Sequence, residues 1–195
     1  MPGNRLRILL IALLCTFTAY GNGNNSLGLS YSYTGAGVNY VQASGKIAYR
    51  CPTPSGYSPV QLTIAGIPTG ATIVKAFLYT TTGYTGVIPS VIRDTFTTPS
   101  LTSHVVTPLN VGAGGDKNWG ETGNYTTRGD VTAYVTGNGI YKAAASTTNN
   151  ETDGFTLLVI YSTGTGVTGN IFLYDGIIAP RTANSSSTVF LPNPV

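Results

Sequence analysis

Apolar and polar residues alternate along much of this chain with a period of two. The first clean run is Leu27-Gly28-Leu29-Ser30-Tyr31-Ser32-Tyr33. Leu27, Leu29, Tyr31 and Tyr33 fall on one side of it and small residues on the other. Successive side chains of a strand point to opposite faces, so this pattern predicts a half-buried β-strand. Gly35 and Gly37 interrupt it, and Val38 to Val41 with Lys46 to Arg50 suit a second strand or a hairpin. Pro52, Pro54 and Gly56 predict a loop. Val60, Leu62 and Ile64 alternate in the next strand. A turn at Gly66-Ile67-Pro68-Thr69-Gly70 then leads into Ala71 to Thr81, the strongest strand pattern in the chain.

Beyond it the pattern weakens. Val87 to Thr97 and Ser103 to Val111 read as strands with proline interruptions, which places them near sheet edges. Residues Gly112 to Thr127 read as a long polar loop holding Trp119, the only tryptophan. Asp130 to Val135 suits either a helical turn capped by Asp130 or a strand. Asn138-Gly139 is a hairpin-type turn signal ahead of Ile140 to Ala145. Gly154 to Ser162 is an almost continuous apolar run, hence a central strand. Gly164, Gly166 and Gly169 turn the chain into Asn170 to Ile178, and Ser187 to Leu191 is the last strand, stopped by Pro192 and Pro194. About ten short strands at this spacing predict an all-β fold: a single jelly-roll-like β-sandwich. Residues 22–36 form an N-terminal extension, a candidate donor strand, and 37–195 the sandwich.

Composition sharpens the picture. Charged residues are 9% of the chain, against roughly 25% in ordinary soluble domains. Hydrophobic residues are 42%, with 13 tyrosines, enough apolar surface to fold. Residues 1–21 read as a signal peptide, with Arg5 and Arg7 ahead of the apolar run Ile8 to Leu14, and Ala19 and Gly21 at a cleavage site. That run is too short to span a bilayer, so no membrane span is expected in the mature chain. Export to the cell surface or the exterior follows. Without Arg5 and Arg7 the chain is close to neutral and carries no basic cluster, so nucleic acid is not an expected partner. A nearly uncharged surface favours association or a covering of glycan. Cys51, left alone once Cys15 departs with the leader, has no internal disulfide partner and reads as a small buried hydrophobe.

The inventory of chemistry is thin. His104 is the only histidine and no nucleophile elbow accompanies it. His104 and Cys51 are too few for zinc. No catalytic, metal or cofactor site is expected. Asp116 and Glu121 flank Trp119 in one polar loop, which reads either as a tryptophan anchoring its loop or as a sugar-binding loop with an aromatic platform. Arg128-Gly129-Asp130 spells the integrin tripeptide. Asn24, Asn124, Asn150 and Asn184 each open an Asn-x-Ser/Thr sequon, mostly in expected loops or termini.

Several segments together carry a resemblance. Gly66 to Ile73 leads into Lys75-Ala76-Phe77-Leu78-Tyr79. Asp130-Val131-Thr132 is followed by Gly137-Asn138-Gly139, then Gly154 to Tyr161 and Leu173-Tyr174-Asp175-Gly176. Over roughly residues 60–178 the chain resembles a poorly characterised family of exported prokaryotic β-sandwich domains found in surface proteins and extracellular fibrous material. The resemblance implies an extracellular sandwich whose motifs mark turns and core strands, without an activity. Through Asp130-Val131-Thr132 it also implies that Asp130 of the integrin tripeptide begins a structural element.

Two functions follow as expectations. The first is a structural subunit of an extracellular, glycosylated fibre or pilus-like filament. Leu27, Leu29, Tyr31 and Tyr33 would insert into a neighbouring copy, joining copies of the chain head to tail, unless the strand completes its own sandwich, which the sequence allows equally. The alternative is a secreted glycan-binding or adhesive module using Asp116, Trp119 and Glu121.

Overall fold

A computed structural model describes residues 25–47, 59–114, 121–145 and 151–177. Within them the chain forms eleven strands. They are β1 (Asn25–Ala36), β2 (Val38–Lys46), β3 (Val60–Ile64), β4 (Thr72–Tyr84), β5 (Asp94–Thr97) and β6 (Ser103–Val106). These are followed by β7 (Leu109–Gly114), β8 (Gly123–Asp130), β9 (Gly139–Ala145), β10 (Glu151–Ser162) and β11 (Thr168–Ile177).

The pairing is nested. β1 pairs with β11, β2 with β10, β3 with β9, β4 with β8 and β5 with β6, all antiparallel. Rolling up such a ribbon interleaves its rungs. One sheet has the order β2-β10-β4-β8-β7 and the other β3-β9-β5-β6. This is a jelly-roll sandwich with β7 added at one edge.

The core lies between these two sheets. Leu62 and Ile64, Ala76 and Leu78, Phe96, Tyr141 and Ala143, and Leu157 and Val159 supply it from alternate positions of β3, β4, β5, β9 and β10. Phe96 stacks on Tyr141 with ring centroids 5.5 Å apart. Each large apolar side chain enclosed here contributes about 1.5–3 kcal/mol. The two strongest sequence patterns become β4 and β10, neighbours near the middle of the five-stranded sheet.

Several expected boundaries move. Val38 to Lys46 is one unbroken strand. The pattern from Val87 yields a strand only at Asp94–Thr97, because Pro89 and the left-handed Gly86 (φ 88°) keep the preceding chain out of a ladder. Ser103 to Val111 divides around Pro108 into β6 and β7, which lie at the edges of different sheets; β5, also expected near an edge, is flanked on both sides. Much of the expected Gly112–Thr127 loop is instead the β7–β8 hairpin. Asp130 closes β8 and accepts a hydrogen bond from the Thr132 N–H at 3.0 Å, ahead of a single 3-10 turn at Thr132–Tyr134. Asn138 does not act as a hairpin turn. Its carboxamide accepts from Ile67 N–H and donates to Ile67 C=O, both at 2.9 Å, and so ties down the Gly66–Gly70 loop. Ser187 to Leu191 lies outside the described residues.

Candidate functional site: an arm across the five-stranded sheet

β1 and β2 are two halves of one ladder facing β11 and β10. The ladder runs from Lys46↔Gly154 to Val38↔Ser162, then resumes at Ala36↔Thr168. Gly37 stands at the break with φ 59°. Its N–H donates to Val167 C=O, and its C=O accepts from Thr163 N–H. A Cβ there would meet Thr163 Oγ1 at 1.9 Å and Thr165 O at 2.3 Å, so no side chain fits. At this bend the outermost rung folds back as a two-stranded arm.

The arm lies over the face of the five-stranded sheet opposite the core. Along β11, Gly169 sits against Val38 of β2. Asp175 reaches β4 and β8, and Gly176 and Ile177 press on Gly112 of β7. A Cβ on Gly112 would stand 2.9 Å from the β11 backbone, so the arm touches bare backbone there.

The seam beneath the arm is polar and aromatic. Arg128 of β8 forms an ion pair with Asp175, whose side chain is only 7% exposed. Tyr79 Oη donates to Asp175 at 2.8 Å. Burial, reinforced by the hydrogen bond to Asp175, pushes the Tyr79 phenol well above its ordinary pKa. Arg128 also lies over the Phe77 ring, 4.8 Å from its centroid, and Tyr31 meets that ring edge-on at 5.5 Å. Burial raises the Tyr31 phenol as well. At the margin Lys75 pairs with Asp130 at 2.6 Å. Burial acts to raise the Asp130 carboxyl, but hydrogen bonds from Lys75 and Thr132 outweigh it and hold the pKa below the ordinary value. A buried ion pair adds little net stability but accepts only one alignment of arm on sheet.

The four expected interface residues do not share a face. A bulge between Leu29 and Tyr31 shifts the register, so Leu29 pairs with Tyr174 and Tyr31 with Leu173, which point to opposite sides. Leu29 is turned outward and is 52% exposed. Tyr31 faces the seam, Leu27 is half-buried, and the half-buried Tyr33 ring lies over Gly35. β1 is bonded to β11 alone, so its other edge has no neighbouring strand among the described residues.

The remaining candidates fall elsewhere. Glu121 accepts a hydrogen bond from the Thr85 hydroxyl. Asp116 and Trp119 lie outside the described residues, as do Asn24, Asn150, Asn184 and Cys51. Asn124 is a half-buried residue of β8, paired with Gly83 and Gly114, rather than part of a loop. Arg128-Gly129-Asp130 is the end of that strand. Sequence reasoning singled out neither Arg128 with Asp175 nor Tyr79. The available signal was the rarity of charge: in a chain this poor in it, Arg128 and Asp175 each sit inside a strand. Among the described residues no helix is long and apolar enough to cross a membrane.

These features define an all-β jelly-roll sandwich whose outermost strand pair is folded back over its own sheet. The chain belongs to an uncharacterised domain family: the family model described as protein of unknown function (DUF3344) matches residues 16–187. The matched span holds all eleven strands and is longer than the stretch of about residues 60–178 that carries the resemblance in sequence. No curated protein matches the chain. No solved structure matches it either.

Proposed function

We propose that this protein is a structural subunit of an extracellular, glycosylated fibre, exported by a prokaryotic cell, in which copies of the chain join by exchanging β1. The observation that carries this reading is the way β1 is held. Among the described residues it pairs with one strand only, outside the sandwich core, and it leaves the body at the bend of Gly37. The same β11 of a second copy offers the same ladder, so exchange needs no new interface. Main-chain hydrogen bonds supply affinity, and the edge-on contact of Tyr31 with Phe77 of the receiving copy supplies alignment. One-directional exchange does not close on itself and propagates as a filament. The proposed role is non-catalytic and uses no cofactor.

Thr34 and Asn170 touch across the β1–β11 ladder, which makes them a reporter of exchange. The chain without its predicted leader, carrying Thr34→Cys, Asn170→Cys and Cys51→Ser, is oxidised under conditions where filaments are seen by negative-stain electron microscopy. A ladder of covalent oligomers on a non-reducing gel is the expected result. Monomers alone, or the absence of filaments at high concentration with native glycosylation, would overturn the proposal.

A further inference from the structure

A second feature stands apart from the arm. At the end of the four-stranded sheet, the β5–β6 turn and the 3-10 turn enclose a cleft of about 380 Å³. His104 and Tyr134 both line it, their rings stacked with centroids 3.8 Å apart and planes 10° from parallel. The opposite lip carries hydroxyls. Ser100, Thr102 and Thr136 line it, with Ser100 Oγ a long 3.5 Å from Thr102 Oγ1; the Thr98 hydroxyl, 2.9 Å from Ser100 Oγ, is buried and tied to the Thr102 backbone, donating to its C=O and accepting from its N–H, both at 3.3 Å. Among the described residues no Asp, Glu, Lys or Arg lines the cleft.

Both walls are fixed from behind. Thr98 N–H donates to Thr102 C=O and Leu101 N–H to Thr98 C=O, both at 2.9 Å, closing the β5–β6 turn. Pro99 packs so closely on Gly139 that a Cβ there would meet it at 2.6 Å. Tyr141, whose ring is in the core, donates its hydroxyl to Gly137 C=O at 2.8 Å and accepts from Thr136 N–H at 3.3 Å. At the tip of the turn Leu101 holds φ 65° and is exposed. A branched side chain there is strained, and strain of this kind persists where the surroundings over-determine it.

We infer that this cleft is a binding site for a neutral saccharide. A sugar ring has an apolar C–H face suited to an aromatic wall and a rim of hydroxyls suited to Thr and Ser side chains that both donate and accept. A volume near the lower bound of small-molecule sites fits one or two sugar rings. The absence of fixed charge in the lining disfavours sialylated, sulfated or phosphorylated glycans, which would lose hydration without gaining a counter-ion. The saccharide is either an external polysaccharide or the glycan of a neighbouring copy, and the site acts independently of strand exchange.

The test uses the chain without its predicted leader, produced without glycosylation so that its own sugars are absent. Saturation-transfer NMR is recorded with methyl glycosides of glucose, galactose, mannose and N-acetylglucosamine, followed by an array of neutral and anionic oligosaccharides. At least one neutral probe is expected to bind. Ala133→Trp, at an exposed position in the cleft, and Tyr134→Ala are expected to weaken binding tenfold or more, while Leu29→Ser on the arm leaves it unchanged. Ala133→Trp perturbs no buried residue, so it remains informative if Tyr134→Ala fails to fold. Glycosylated protein that resists the array probes until deglycosylated would assign the site to the chain's own glycans. Failure of every neutral probe on the unglycosylated protein, binding confined to anionic glycans, or binding untouched by Ala133→Trp would overturn the inference.

Discussion

The two faces of the five-stranded sheet carry different kinds of contact. The inner face meets the second sheet through Leu78, Leu157, Val159, Phe96 and Tyr141, all enclosed and apolar. The outer face meets the arm through Arg128, Asp175, Tyr79, Phe77 and Tyr31. Close-packed apolar contact is strong, so the inner face holds the fold together. The seam is demanding in alignment and modest in net strength, because its charged groups regain hydration when they separate. One side of the sheet therefore serves as the core. The other carries the arm, whose contacts are separate from those of the core.

The largest expected effect breaks the inner face. Leu157→Ala removes a side chain that is fully enclosed. A loss of about 2–5 kcal/mol in global stability is expected, read by denaturant unfolding, with the whole sandwich melting as one unit. The next breaks the seam. Asp175→Ala strands the Arg128 guanidinium under the arm, at a cost of about 3 kcal/mol. Arg128→Met combined with Asp175→Leu should recover most of that loss. The two cases are distinguished by limited proteolysis. Asp175→Ala should expose the chain around Gly37 to cleavage while the core strands stay protected, and Leu157→Ala should show no such preference.

The smallest effect sharpens the comparison, because the facing four-stranded sheet encloses a carboxyl. Asp94 alternates with Phe96 on β5, is 2% exposed, and burial pushes its pKa up from 3.8 to about 7. Between these values the folded protein binds the proton and the unfolded chain does not. Stability therefore falls as pH rises through this window. Unfolding at pH 5 and pH 8 should differ by about 2–3 kcal/mol from this group alone, with the protein weaker at pH 8. Asp94→Asn should flatten the difference. A slope that survives the substitution would assign it to other groups.

Much of the sandwich was legible from local pattern. Val60-Leu62-Ile64 alternates in sequence and in burial, and Gly154 to Ser162 reads as a central strand and is one. These segments are short, and their environment is uniform along their length. The arm was legible only as a strand. Its alternation implied one buried face, yet the bulge at Ser30 turns Leu29 away from Tyr31, and nothing near residue 30 marks it. Its partner lies far along the chain, and the seam depends on which charged strand positions meet across that distance. The β5–β6 cleft was not legible at all. Tyr134 reaches His104 only because the Asp130 turn brings it there, and in sequence the two are separated by a strand pair.

Nested pairing also orders events in time. Of the eleven strands, β1 is the first to be made and β11 the last; Ser30 and its bonded partner Leu173 are 143 positions apart. At synthesis rates of about 5–20 residues per second, β1 waits roughly 7–30 seconds for the strand that will hold it. Every other rung of the roll waits less. A newly made chain therefore carries its own β1 unclaimed through most of its production. Under the strand-exchange proposal, this interval is the opening for a finished copy's β11 to take up β1.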